Sequence, residues 1–163
     1  MKKIFLFAVM AVMGVSALAC SSDDNNNGTP DYKAEIQGTW KDSKTIFLDK
    51  DKKVIGEKPA SDNNGCGINE MEFKGDVWTS KYSYKYIMGD INECRTDTSS
   101  NKFVIVGSKI SITNEEDIEE YEITEVSKSK LVLLDLEPLT ESGVEGEGYP
   151  KGTTFIKFEY IRK

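Results

Sequence analysis

The apolar residues of this chain recur in short runs that alternate with polar residues, and turn residues break these runs repeatedly. No long segment carries apolar residues at the 3.6-residue spacing of an amphipathic helix. Alternation with a period of two places apolar side chains on one face of a strand, so the pattern predicts an all-β fold. The predicted strands cover residues 40–48, 68–73, 77–87, 102–106, 109–113, 118–126, 131–137 and 153–162.

Short turns join most of the eight predicted strands, which favours an antiparallel up-and-down meander. Closure of this meander into an eight-stranded barrel would remove the exposed strand edges of an open sheet. A β-sandwich built from the same strands is the alternative architecture. Three longer connections interrupt the pattern, at residues 49–67, 88–101 and 138–152, and are predicted to be loops.

The N terminus has the layout of a secretory signal, because two lysines precede an apolar run from Ile4 to Leu18. This run is shorter than the roughly 20 residues that cross a bilayer as a helix. Its end, Ala17-Leu18-Ala19-Cys20, resembles the lipobox of bacterial lipoproteins. The resemblance implies cleavage before Cys20 and attachment of acyl chains such as palmitate to that residue. An ordinary signal peptide followed by a coincidental cysteine is the alternative.

The pattern divides the chain into a signal peptide at residues 1–19, a lipid anchor and flexible tether at residues 20–34, and one domain at residues 35–163. The tether is rich in Ser, Asp and Asn and has too few apolar residues to order itself. Its Ser/Asp-rich start resembles the surface-export signal of Bacteroidetes lipoproteins, which implies a place on the outer face of the outer membrane. A plain linker facing the periplasm is the alternative.

Composition excludes several classes of function. The formal charge of −7 would become −9 after loss of Lys2 and Lys3 with the signal, and no basic block is present, so nucleic-acid binding is not expected. The chain has no histidine, which rules out Ser-His-Asp and Cys-His catalysis. No spacing of acidic residues marks an acid/base pair or a metal site. The sequence therefore predicts a protein without catalytic residues, cofactor or metal.

Cys66 and Cys94 are the two cysteines that remain once Cys20 is assigned to the lipid. In an exported protein two spare cysteines most simply form a disulfide. The bond would clamp two of the long predicted loops and stabilise the fold by about 3.5 kcal/mol in the chain-entropy estimate.

Gly38-Thr39-Trp40 stands at the entrance to the first predicted strand, and Arg162 ends the last. A Gly-x-Trp ahead of a meander of about eight strands resembles the lipocalin and lipocalin-like families. The ending Phe158–Arg162 resembles the last strand of Bacteroidetes lipocalin-like lipoproteins. The resemblance extends over residues 35–163, but only the two ends of this range match sequence motifs of the family. It implies that Trp40 plugs one end of a barrel and that Arg162 packs over its ring, a contact worth roughly 0.5–2 kcal/mol.

The candidate ligand site consists of aromatic residues on two predicted strands. On each strand these residues lie an even number of positions apart and so share one face. A row of rings with hydroxyl groups facing the interior suits a small, partly apolar ligand. The alternative is that the rings simply fill the barrel. The candidate residues are Trp78, Tyr82, Tyr84, Tyr86, Phe158 and Tyr160.

Two functional hypotheses follow. In the first, a lipid-anchored lipocalin-like barrel binds a small hydrophobic or amphipathic ligand at the membrane surface. In the second, the protein is a non-enzymatic structural or accessory subunit of an outer-membrane protein assembly, with a protein partner in that membrane.

Overall fold

The computed structural model describes residues 30–114 and 117–163. The predicted signal peptide, the predicted lipidation site Cys20 and residues 20–29 of the predicted tether lie outside the described residues. In the described part, no helix has the length and apolar character needed to cross a membrane.

The described residues form two short helices and nine strands. The helices are Tyr32–Glu35 (α1) and Glu141–Gly146 (α2). The strands are Gly38–Leu48 (β1), Val54–Pro59 (β2), Glu70–Lys74 (β3), Val77–Met88 (β4), Ile91–Val106 (β5), Lys109–Thr113 (β6), Ile118–Val126 (β7), Lys130–Asp135 (β8) and Phe155–Arg162 (β9).

Eight of these strands form a closed antiparallel barrel, as the sequence predicts. The order is β1-β3-β4-β5-β6-β7-β8-β9, and β9 pairs back to β1. Strand β1 forms the seam, because one edge pairs with β9 and the other pairs first with β3 and then with β2. Strand β2 is therefore an extra strand beside the eight of the barrel.

Two of the three predicted loops contain strand, so the boundaries predicted there were wrong. Strand β2 lies within the first loop; its Gly56 and Pro59 argue against a strand, but an edge strand tolerates both. Most of the second loop, from Ile91 onward, belongs to β5. Residues 91–100 are exposed on both faces of the strand, so no burial imposes the apolar alternation that marks strands in a sequence. The third loop contains α2.

Strands β4 and β5 extend beyond the barrel wall as a two-stranded arm. They pair along the whole length of β4, whereas β3 pairs with β4 only as far as Lys81 and β6 pairs with β5 only from Lys102. Residues 82–97 therefore pair only with each other, and we call them the arm.

A disulfide between Cys66 and Cys94 confirms the predicted pairing, with the two Cα atoms 5.3 Å apart. Cys94 lies in the arm and Cys66 in the connection from β2 to β3. The bond thus ties the arm to a barrel loop, whereas the sequence suggested a clamp between two loops.

One end of the barrel is filled by apolar side chains, and we call it the closed end. The turns after β3, β5 and β7 lie at this end, as does α1. The buried core cluster consists of Ile36, Trp40, Met71, Phe73, Phe103, Ile110, Ile112, Ile123, Leu131 and Leu133. Every strand of the barrel wall except β4 and β9 contributes to this cluster, and Trp78 and Tyr160 of those two strands pack against it.

Candidate functional site at the open end of the barrel

The closed end is sealed by Trp40 and Arg162. The Trp40 ring is fully buried, and its Nε1 donates a hydrogen bond to the Ile36 carbonyl oxygen at 2.7 Å. The Arg162 guanidinium carbon lies 4.1 Å from the centre of this ring. Its Nη1 donates to the Gln37 carbonyl oxygen at 2.6 Å and its Nε to that of Lys128 at 2.8 Å. Packed side chains and hydrogen bonds therefore close this end of the barrel.

Gly38 allows the close approach of this arginine to the backbone. Its φ is +119°, a conformation that side chains disfavour, and a Cβ at this position would lie 2.8 Å from Arg162 Nη1. The Gly-x-Trp element and the terminal arginine of the sequence thus meet in one structural unit.

Polar and aromatic side chains replace the apolar core in the next layer toward the opposite end, which we call the open end. Asp42 follows Trp40 on the same face of β1 and pairs in register with Tyr160 of β9. Asn69 forms a side-chain hydrogen bond to the Asp42 carboxylate. Burial raises the pKa of Asp42, and this hydrogen bond offsets part of the rise. The layer is thus polar although it lies inside the barrel.

Two tyrosines continue this polar layer. Burial raises the pKa of the Tyr160 phenol, and the charge of Asp42 acts in the same direction. Burial also raises the pKa of Tyr121, whose hydroxyl donates to Glu119 Oε2 at 3.0 Å. The Tyr121 ring meets that of Phe158 edge to face, with centroids 6.4 Å apart. Aromatic rings and carboxylates are therefore neighbours at the open end.

A pocket of about 310 Å³ opens above Asp42 and Tyr160. Strands β1 and β9 form its floor, and the end of β2 and the connection before β9 form its sides. In that connection Tyr149 packs against Phe47 with ring centroids 5.0 Å apart. The lining side chains include Asp42, Thr45, Phe47, Lys58, Tyr149, Phe158 and Tyr160.

The predicted ligand residues fall into three places. Phe158 and Tyr160 line the open-end pocket. Trp78 packs against the core cluster, and its Nε1 donates to the Met71 sulfur at 3.4 Å. The other three candidates, Tyr82, Tyr84 and Tyr86, lie in the arm.

The expectation that the arm tyrosines face the barrel interior was wrong. Their shared parity continues along β4, but the barrel wall ends at Lys81, so they have no interior to face. The Tyr82 side chain is 54% exposed and stacks on Tyr84 with centroids 5.8 Å apart. The Arg95 guanidinium lies 3.5 Å from the ring centre of Tyr86. These rings stabilise the arm instead.

Several residues around the open end were missed by sequence reasoning. Asp42 and Phe47 lie on β1, the strand that carries Trp40. Asp42 is two residues after Trp40 and therefore shares its face, so the two-residue period of a strand could have identified it. Tyr121 shares the face of the buried Ile123 in the same way. Tyr149 belongs to an irregular connection, and no local pattern marks it.

A second, more open pocket of about 610 Å³ adjoins Tyr121. Burial raises the pKa of Asp135 in its lining, the nearby Glu119 adds to the rise, and the backbone hydrogen bond from Glu137 opposes it. No three acidic or cysteine side chains within residues 30–114 and 117–163 are arranged to hold a metal ion.

No family model matches the chain, and no curated protein matches it.

Proposed function

We propose that this protein is a lipid-anchored outer-membrane lipoprotein whose lipocalin-like barrel binds a small, partly apolar ligand at its open end. The observation that carries the proposal is the contrast inside one barrel. The closed end is filled by packed side chains, whereas the open end holds a pocket with Phe47 and Phe158 beside Asp42 and Tyr160. Aromatic rings beside placed polar groups fix the orientation of ligands in small-molecule sites.

The size of the pocket limits the ligand. Small-molecule pockets span roughly 300–1,000 Å³. The open-end pocket, at about 310 Å³, lies at the lower limit of that range. It suits a compact molecule, not a long acyl chain.

The direction of the chain supports a ligand that comes from the aqueous side. The described chain enters at the closed end through α1, and the strands carry the pocket and the arm to the opposite end. The segment that follows Cys20 therefore joins the domain at the closed end, which is the end opposite the pocket. We propose the cell surface as its location, with a periplasm-facing anchor as the alternative.

The ligand proposal is tested with the neutral fluorescent probe N-phenyl-1-naphthylamine and the full-length protein in dodecyl maltoside. Thr45 lines the pocket, so Thr45→Trp should fill it and abolish saturable binding. The matched control is Thr79→Trp on the outer face of β4, where binding should persist. Equal binding by both variants would contradict the proposal.

The anchor has its own test. Cys20→Ala should move the protein from the membrane fraction to the soluble fraction, because the acyl chains supply the membrane affinity. The measurement is immunoblotting of separated fractions, with Cys66→Ser as a control that keeps Cys20. Retention of Cys20→Ala in the membrane would refute the anchor.

A second candidate function is that of an accessory subunit in an outer-membrane assembly. The tip of the arm favours it, because Ile87, Met88 and Ile91 are 69%, 60% and 43% exposed. Exposed apolar residues on a protruding element are typical of protein contact sites. Cross-linking in intact cells should recover a partner that Ile87→Ser loses. Recovery of the protein alone, at its monomer mass, would argue against this role.

A further inference from the structure

The aromatic lining of the open-end pocket points to a particular ligand chemistry. Phe47, Phe158 and Tyr160 lie on the floor strands β1 and β9, and Tyr149 packs against Phe47 from the side. The faces of such rings carry negative potential and attract cations, most strongly where water is excluded. Four rings therefore line one pocket of about 310 Å³, and such a lining suits a cationic group as well as an apolar one.

The charge of the pocket supports the same chemistry. Asp42 is partly buried at its base, and across the described ranges no lysine or arginine forms an ion pair with it. A carboxylate removed from water without a cation is costly, which leaves a favourable place for a positive ligand group.

The two lysines in the lining do not cancel this charge. Lys44 is held by Glu57 at 2.9 Å, and Lys58 lies exposed on the extra strand β2. Two further acidic residues, Glu147 and Glu159, also line the pocket. The three acidic residues therefore outnumber the two lysines of the lining.

We propose that the ligand bound in the open-end pocket is an organic cation that carries an alkylated or quaternary ammonium group. The ammonium group sits among the four rings with Asp42 as its counter-ion. The inference rests on the proposed function, since it names the ligand class of the same pocket.

The test compares two probes of nearly equal shape, choline and its neutral isostere 3,3-dimethylbutan-1-ol. Each displaces N-phenyl-1-naphthylamine from the full-length protein in dodecyl maltoside. Choline should bind at least about tenfold more tightly than the isostere, as expected for a desolvated cation–π site. Asp42→Asn should bring the two affinities together, whereas Asp76→Asn, on the exposed turn after β3, should leave the ratio unchanged.

A second variant keeps the test decisive if Asp42→Asn does not fold. Phe158→Leu retains an apolar wall but removes a ring, so it should weaken choline binding and leave the isostere nearly unaffected. Equal binding of the two probes by the unaltered protein would overturn the cation assignment and leave the proposed function standing. Failure of both probes to displace the dye would also overturn it, and the proposed function falls only if the dye itself shows no saturable binding.

Discussion

The two ends of the barrel use the same two strands for opposite purposes. At the closed end, β1 and β9 supply Trp40 and Arg162, which pack against each other and donate hydrogen bonds to nearby backbone carbonyl oxygens. A few residues further along, the same strands supply Asp42 and Phe158 to a pocket. Apolar packing and hydrogen bonds stabilise the closed end. At the open end, polar groups in a partly buried pocket favour the binding of a ligand. Substitutions at the two ends should therefore differ in size and in sign.

The largest effect is expected at the closed end. Trp40→Ala should lower the free energy of unfolding by about 3–5 kcal/mol, because it leaves a cavity in the core and removes the surface under Arg162. Urea unfolding followed by circular dichroism measures it. Tyr82→Ala in the exposed arm is the control, with an expected change within about 0.5 kcal/mol. A loss below 1 kcal/mol for Trp40→Ala would contradict the sealing role.

The next largest effect is expected from removal of the disulfide, which lies toward the open end. The double variant Cys66→Ser with Cys94→Ser should lower the free energy of unfolding by about 2–4 kcal/mol, because the unfolded chain gains freedom. In the double variant the arm amides should exchange faster than the closed-end amides, because the arm can then open while the barrel stays folded. Uniform exchange over both regions would show that the arm is not a separate unit.

Gly38 tests the backbone of the closed end. Gly38→Ala should cost about 1–3 kcal/mol, because its φ of +119° disfavours a side chain and the new Cβ would press on Arg162. Gly75→Ala is the matched control, since its φ is also positive but nothing lies within 4 Å of its Cβ position. Thermal unfolding of both variants measures the difference, and an equal cost would mean that strain alone, without the arginine contact, explains the effect.

The smallest effect is expected at the open end, and its sign depends on pH. Burial raises the pKa of Asp42, so the folded protein holds this proton more tightly than the unfolded chain does. As pH rises from the ordinary carboxylate pKa through the raised pKa of Asp42, its contribution to stability is lost. Asp42→Asn should therefore gain stability relative to the unaltered protein over this window. Urea unfolding measures the stability of both proteins at each pH. A difference in their free energies of unfolding that does not change with pH would contradict the raised pKa of Asp42.

Much of the barrel could be predicted from the sequence because burial on one face leaves a mark on the strand. Seven of the predicted strands coincide with most of a barrel strand; those such as residues 109–113 alternate because one face points toward the core, whereas residues 131–134 are buried on both faces. The eighth, at residues 102–106, is only the end of the long β5. The arm half of that strand was missed because both faces meet water and neither requires apolar residues.

The candidate site was predicted only in part for a related reason. Parity along β4 correctly grouped Trp78 with Tyr82, Tyr84 and Tyr86, but it does not say where the neighbouring strand β3 ends. That end decides whether a ring lies in a barrel or on an arm. Phe158 and Tyr160 reached the pocket because β9 pairs with neighbours along its whole length.

The sequence by itself determined the strand pattern, the pairing of Cys66 with Cys94 and the two ends of the Trp40–Arg162 unit, because each depends on local spacing or on residue type. Only the tertiary structure decided which end of the barrel is filled, where the wall stops and which side chains share the pocket. Those features depend on the lengths over which neighbouring strands pair. Pairing length is a property of two strands together, and neither strand carries it in its own residues.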